Sequence, residues 1–498
     1  MTWLLVAVLA LPALGAVGAA LVRSERAGLA VGTAAAALAF VASAVLGVHH
    51  GGGGAFGPIR PWHQLNVPWV PGLGLRFHLG VDGISYPLVV LTTLLTLLCC
   101  LYTLWRVEEA GRGRLLVALL LAVEVGIAGT FLALDLVLFF VFFEVVLLPM
   151  YAVIAGWGGP DRRRAALKFV LYTLLGSVLL LVGVIVVVVN AGTSDLVALS
   201  AGRGAALSSG TQLAAFVLLA LAFAVKSPLW PLHTWLPDAH TEAPTVGSVI
   251  LAGVLLKMGT YGLLRVAVGV LPDAARRTAG VLGVLAVAAI LVGSLVCLAQ
   301  NELKRLIAYS SVGHMGFVLL GIATMTATGF TAALVGNVAH GIITGLLFLL
   351  AGAVKHRAHT GDLADLGGLR ERAPALSGVL GFAALASLGL PGLAGFWGEA
   401  FAVVAALGRH QTLWTVLAVL AAVGGALTAA YFLRMLRRVT HGPASPVVSG
   451  IERPAVSAAE LATWSPLVGL ALAVGLVPTL VLAVASAPVQ ALALAVAR

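Results

Sequence analysis

TQLAAFVLLALAFAVKSPLWPLHTWLPDAHTEAPTVGSVILAGVLLKMGTYGLLRVAV, residues 211–268, decides the class of fold. Two apolar helices are legible in it, and each carries a lysine near its middle, Lys226 in the first and Lys257 in the second. The first helix is interrupted there, because Pro228 and Pro231 follow the lysine and each removes a backbone donor. A charged side chain at mid-bilayer costs at least about 2.5–3.5 kcal/mol, so by default it marks an ion or proton path. Two such groups beside a broken helix point to a conduit.

The rest of the chain agrees with a membrane setting. Of its 498 residues 61% are hydrophobic and only 10% charged, with a mean hydropathy of +1.08. Apolar runs of about 20 residues recur along the whole length, the signature of an all-α polytopic membrane protein. We expect about fourteen spans: 2–22, 27–48, 84–105, 115–134, 136–156, 165–190, 211–236, 246–269, 278–299, 306–325, 330–354, 375–405, 411–434 and 466–488. Residues 49–83, rich in Gly and Pro, form the longest segment on one face. The net charge of +10 says nothing about nucleic acid here, because, apart from Arg60, Arg76, Arg203, Arg276, Arg277, Arg409 and Arg498 on the opposite face, most of the basic residues fall in loops on one side. Arg23, Arg26, Arg106, Arg112, Arg114, Arg162, Arg163, Arg164 and Lys168 share that side with the basic residues around 304, 355–372 and 434–453. By the positive-inside rule that face is cytoplasmic, and both termini are periplasmic or exterior. The N-terminal apolar run has no basic residue before it, so it reads as a first span and not as a cleaved leader.

Lysine occurs at only five positions, Lys168, Lys226, Lys257, Lys304 and Lys355; the rest of the 29 basic residues are arginine. Arginine keeps its proton whereas a buried lysine can release one. A chain that prefers arginine elsewhere keeps lysine where release is useful.

Breaks in two spans suggest an internal repeat. The seventh is interrupted at KSPLWP and the twelfth at LGLPGLAGFWGE, where Gly389, Pro391 and Gly392 cluster. The breaks lie five spans apart, and an odd interval returns the copy upside down. The expected organisation is therefore N-terminal helices over 1–110, a first five-helix repeat over 111–272, an inverted second repeat over 273–440, and a cytoplasmic linker with a last span over 441–498. Paired broken helices in opposed repeats point to a transport site at the midplane.

Glu144, in LVLFFVFFEVVLLPMY, is at a depth similar to Lys226, and opposite charges in lipid are expected to pair. Two charges about 4 Å apart at an effective dielectric near 20 attract by about 4 kcal/mol. Moving one charge against about 200 mV costs about 4–5 kcal/mol. The magnitudes match, so a pair that opens and closes is strong enough to load and release a proton. Lys257, between Gly253 and Gly259, reads as the next stop. His314 and His340 are mid-span histidines on adjacent helices, open to a relay or a packing role. Glu399 follows the second break as the candidate exit group, the inverted counterpart of Lys226. Glu124 is a further intramembrane carboxylate, structural or relaying. Asp238, His240 and Glu242 end the seventh span, as a proton entrance or as solvated end residues.

Cys99, Cys100 and Cys297 form no cluster-binding array, and neither a dinucleotide fingerprint nor a P-loop is present. No cofactor or metal is assigned to this chain, and pumping energy has to come from a partner or another gradient. FHLGVDGISYPL from Phe77, FFEVVLLPMY from Phe142, KSPLWPLHTWLPDAHTEAPT from Lys226 and NELKRLIAYSSVGHMG from Asn301 resemble the antiporter-like subunits of bacterial NADH–quinone oxidoreductase, respiratory complex I. The likeness covers roughly Phe77 to Ala400. It implies a fourteen-helix antiporter-like fold with two inverted five-helix repeats, and a hydrated charged line at the midplane.

In that family Glu144 and Lys226 match the ion pair, Lys257 the central lysine, His314 and His340 the relay histidines, and Glu399 the terminal glutamate. The resemblance also implies a bacterial cell membrane, neighbouring membrane-arm subunits as partners, and FMN, iron–sulfur clusters and quinone held by other subunits. A subunit of a multisubunit Na+/H+ antiporter or of a membrane-bound hydrogenase is the alternative. Glutamate at 399, where those antiporters and the other antiporter-like subunits usually carry lysine, favours the M-type branch of complex I. A structural scaffold without transport leaves the buried lysines unexplained.

Overall fold

A computed structural model describes residues 2–48, 58–106 and 112–497, so Met1, residues 49–57 and 107–111, and Arg498 lie outside the described residues. The helices are α1 (Thr2–Leu21), α2 (Glu25–Val45), α3 (Tyr86–Trp105), α4 (Gly113–Leu132), α5 (Leu136–Trp157), α6 (Arg162–Ala191), α7 (Ser209–Lys226), α8 (Trp235–Glu242) and α9 (Thr245–Val268). They continue as α10 (Pro272–Ala299), α11 (Leu303–Ala323), α12 (Ala327–Ala358), α13 (Pro374–Ser387), α14 (Ala394–Leu407), α15 (Thr412–Thr440), α16 (Ala458–Leu476) and α17 (Thr479–Ala497). Helices dominate because hydrocarbon offers no water to backbone groups, which must bond within their own segment. A hairpin of β1 (His63–Val70) and β2 (Leu75–Val81) sits between α2 and α3, in the segment expected to be the longest outer loop.

Among the described residues fourteen helices are long and apolar enough to cross a membrane. α13 and α14 are not among them, since each has 14 residues; they are the two halves of the second broken span. α17 is among them, yet it lies across one face of the bundle. The Val484 carbonyl lies against Gly83, Leu492 packs over Gly269, and Arg276 donates to the Val496 carbonyl at 2.5 Å. Gly83, Gly269 and Arg276 belong to the ends of α3, α9 and α10 on one face. The span expected at 466–488 is thus corrected: the last crossing is α16, and the chain turns at Val477 before Pro478. Apolar composition runs through that proline, but its missing donor ends the helix. Exchanging α17 for the α13–α14 pair leaves fourteen crossing segments among the described residues.

Two backbone clasps mark the inverted repeat. Leu136 N–H bonds to Ser194 O at 2.7 Å and Leu196 N–H to Leu134 O at 2.8 Å, tying the α4–α5 turn to the α6–α7 connection. Leu303 N–H bonds to Gly361 O at 2.9 Å and Leu363 N–H to Asn301 O at 2.7 Å, tying the α10–α11 turn to the α12–α13 connection. The two leucines of each clasp are equally far apart in sequence, and an acidic residue precedes each one: Asp135, Asp195, Glu302 and Asp362. Asp135, Asp195 and Glu302 also cap the helices that follow. Five crossings separate the clasps, so they sit on opposite faces.

The expected interruptions are real. α7 stops at Lys226, and residues 227–234 form a turn before α8. In the second repeat Gly389 and Gly392 take φ of +77° and +90°, which a side chain would resist. Two further irregularities were not expected. α5 is interrupted at Val146, just past Glu144, where Pro149 leaves a carbonyl without its helical donor. α9, buried along its whole length, widens to π-helix at Leu251–Leu255 and Leu263–Val268, on either side of Lys257. Such bulges collect at functional sites.

Candidate functional site

Glycine contacts set the spacing of the central helices. Small residues let membrane helices approach closely where no hydrophobic drive separates helix from lipid. A Cβ on Gly341 would lie 2.6 Å from the Gly253 carbonyl, so α12 and α9 touch backbone to backbone. A Cβ on Gly398 would lie 2.5 Å from the Gly336 Cα, which brings α14 equally close to α12. Each contact is at most one helical turn from an ionisable residue: Gly253 from Lys257, Gly341 and Gly336 from His340, Gly398 from Glu399.

The side chains gathered there form a line. Lys257, with no solvent exposure, donates from Nζ to His340 Nδ1 at 2.5 Å and to the Ala252 carbonyl at 2.5 Å. Ala252 lies in the first π-helical stretch, where Leu256 N–H reaches back five residues to Leu251. The His340 ring faces His314 with centroids 5.6 Å apart. His314 Nδ1 is 2.7 Å from Glu399 Oε1, and its Nε2 is 3.0 Å from the Ser387 hydroxyl. A cavity of about 20 Å3 lies among His314, His340, Ser387 and Glu399, room for a single water. The Lys257–His340 and His314–Glu399 contacts can be read with the proton on either partner, and Ser387 serves either form of His314, while His340 Nε2 has no hydrogen-bond partner among the described residues. Proton transfer within those two contacts needs little movement of heavy atoms, whereas the step between the two rings needs a bridging group or a turn of a ring.

The other predicted residues are placed differently. Lys226 is buried, but among the described residues it makes no ion pair within 4.0 Å. Its Nζ lies over the Phe143 ring, 4.8 Å from the centroid, while Glu144 accepts a hydrogen bond from Ser177. The expected Glu144–Lys226 contact is therefore open. Ser177 holds Glu144 toward α6, and the Lys226 amine rests on an aromatic face. Glu124 is wholly buried on α4, and neither carboxylate oxygen has a partner among the described residues. It is not brought to the Lys257–Glu399 line.

Of the three residues closing the seventh span, Asp238 pairs with Lys168 at 2.6 Å and Arg305 at 3.5 Å, and Glu242 accepts from Asp161 N–H at 2.9 Å. They are helix-end groups on the arginine-rich face. His240 is buried between them and the relay.

Several partners escaped sequence reasoning. Arg265, in the second π-helical stretch, forms a buried ion pair with Asp82, whose other oxygen accepts from Ile84 and Ser85 N–H at 3.0 and 3.1 Å. A buried arginine in the last turn of a span demands such a counter-charge, and FHLGVDGIS holds it. His78 on β2 pairs with Asp195 at 2.9 Å. Burial alone would raise the Asp195 carboxyl, but hydrogen bonds from His78 and from the Ala198 and Val197 backbone, with the charge of His78, hold it below the ordinary range. Ser177 and Ser387 carry no sequence signal that separates them from other membrane serines.

Residues 133–425 match the family described as NADH:quinone oxidoreductase/Mrp antiporter, transmembrane. The chain is 42% identical over 439 residues to NADH-quinone oxidoreductase subunit M of Rhodobacter capsulatus, covering 86% of this chain and 84% of that one. It superposes on a chain of respiratory complex I from Thermus thermophilus with TM-score 0.88 and 31% identity, over 99% of both chains. A chain of the Mrp complex from Dietzia sp. gives TM-score 0.85 and 25% identity over 100% of both.

Proposed function

This chain belongs to the NADH:quinone oxidoreductase/Mrp antiporter family, and from that premise we propose a route for protons through it. It is a proton-translocating membrane-arm subunit of NADH–quinone oxidoreductase. In our reading protons pass between Glu144, Lys226, Lys257, His340, His314 and Glu399. The observation that supports this best is the contact series Lys257–His340–His314–Glu399, four ionisable side chains from four helices in an apolar interior. Placing one ionisable group there is costly, and placing four in sequence with interchangeable donor and acceptor roles makes sense for transfer.

Glu144 and Lys226 act as the switch at the other end. Bringing them within about 4 Å is worth about 4 kcal/mol at an effective dielectric near 20. That is enough to hold a proton on Lys226 when the pair is closed and to let it go when the pair opens, as it is here. Quinone reduction supplies the energy from other subunits, which hold the FMN and iron–sulfur clusters, and neighbouring membrane-arm subunits transmit it. We place the arginine-rich face in the cytoplasm of a bacterial cell and both termini on the exterior side. The repeats run over 111–272 and 273–440. The Mrp-type alternative shares the fold but is less similar in sequence, and Glu399 favours the complex I reading.

Glu144→Gln and Lys226→Ala test the switch. Both should abolish most proton pumping while the complex assembles, with coupled electron transfer falling in step. Normal proton-to-electron stoichiometry in reconstituted vesicles for either variant would refute the assignment.

A further inference from the structure

His240 on α8 has no solvent exposure, and neither ring nitrogen has a hydrogen-bond partner among the described residues. A packing residue at this place would avoid the cost of an unsatisfied polar ring. The ring lies flat on Phe348, with centroids 4.6 Å apart and planes 10° from parallel. Phe348 belongs to a stripe on α12 at four-residue spacing: His340, Thr344, Phe348, Gly352, His356. One end of that stripe meets Lys257 through His340. The other end, at Gly352 and His356, lines a polar cavity of about 750 Å3 on the arginine-rich face, with Thr245, Lys304 and Lys355. Lys304, buried at that mouth, donates to the Ala243 carbonyl at 2.7 Å, three residues past His240. From His340 to Gly352 the helix advances about 18 Å, and the stacked pair of rings lies about 12 Å along that interval from His340.

We propose that His240 and Phe348 form the entry gate of the proton path, with Phe348 as the seal and His240 as the carrier. This rests on the relay reading of Lys257 and His340. A hydronium ion in the cavity gives its proton to one ring nitrogen of His240 and is left as water, and the ring turns off Phe348. The N–H on its other side then passes a proton to His340 by way of the Thr344 hydroxyl. One N–H bond forms and one breaks at His240, so one proton moves inward and the ring ends neutral. With the rings stacked, Phe348 keeps cavity water from Lys257. Asp238 and Glu242 are not the carriers, because both are held in contacts at the surface of the same face.

The test uses the assembled complex in proteoliposomes. His240→Phe keeps an aromatic stack but removes the carrier: coupled quinone reduction and proton uptake should fall at least tenfold in a complex of normal subunit content. Wild-type turnover and stoichiometry in His240→Phe would overturn the proposal. Phe348→Ala should raise passive proton leak under an imposed pH gradient at least threefold, whereas Phe348→Leu should not. If Phe348→Ala leaks no more than wild type, the seal is elsewhere and the gate fails. The double variant Phe348→Ala/Lys257→Met separates this proposal from the relay it rests on. A leak that disappears supports both, while a leak that persists keeps the gate and refutes passage through Lys257.

Discussion

Lys257→Met is the most incisive perturbation of the relay. Methionine nearly matches lysine in length and keeps the packing of a site with no exposure, but it cannot hold a proton. Two 2.5 Å contacts disappear, one to His340 Nδ1 and one to the Ala252 carbonyl. Each acceptor left without its donor costs about 1–3 kcal/mol. Against this, removing a buried charge recovers a desolvation penalty of several kcal/mol. The balance is near neutral, so the complex should assemble with unchanged subunit content. The transfer step loses a charge-assisted hydrogen bond worth about 1.5–3 kcal/mol, roughly 10- to 150-fold in rate. The assay is NADH-driven acidification in proteoliposomes, with quinone reduction followed in the same sample. Lys257→Arg is the control, since it retains the charge but does not release a proton. Both variants should fall at least tenfold. If Lys257→Arg pumps normally, charge and not proton transfer is the contribution. If Lys257→Met keeps half the wild-type turnover at wild-type stoichiometry, the relay argument is wrong.

Two further predictions follow from neighbouring contacts. Glu399→Lys should retain more pumping than Glu399→Gln, because it keeps a titratable group opposite His314; equal loss in both variants would count against an exit role. At the α6–α7 connection, Asp195 is held below the ordinary carboxylate range by His78, so it stabilises the hairpin above its unfolded value. That stability is lost as the pH falls through its lowered folded value. Amide exchange in β1 and β2 should accelerate across that acid range, and Asp195→Asn should already be fast above it and respond less to acid; an unchanged pH profile in the variant would refute the clasp.

Much of the site was readable because lipid penalises charge so heavily. Lys226, Lys257 and Glu399 stood out with no spatial information, and proline and glycine clusters located both breaks. Which charges touch was not readable. Glu144 and Lys226 were expected in contact, but Ser177 holds the carboxylate and Phe143 the ammonium. Those partners come from α6 and from Glu144's own neighbour, and nothing in sequence spacing ranks them above a direct pair. The π-helical stretches around Lys257 also escaped, since hydropathy at a period of 3.6 does not register one extra residue in a turn. α17 escaped for a related reason. Its composition suits a membrane span, and only its seat on Gly83, Gly269 and Arg276 shows a helix lying on a face.

The amino-acid sequence alone determined the membrane class, the opposed repeats and the identity of the costly groups, because transfer of a side chain or backbone group into hydrocarbon depends on that group and its near neighbours. Tertiary structure decided the order of contact from Lys257 through His340 and His314 to Glu399, and the stacking that seals His240. Those depend on how closely α9, α12 and α14 approach at Gly253, Gly341, Gly336 and Gly398. Hydrogen bonds form or fail over a few tenths of an ångström, and that distance is set by helices whose contacting residues are 83 and 85 positions apart in the chain.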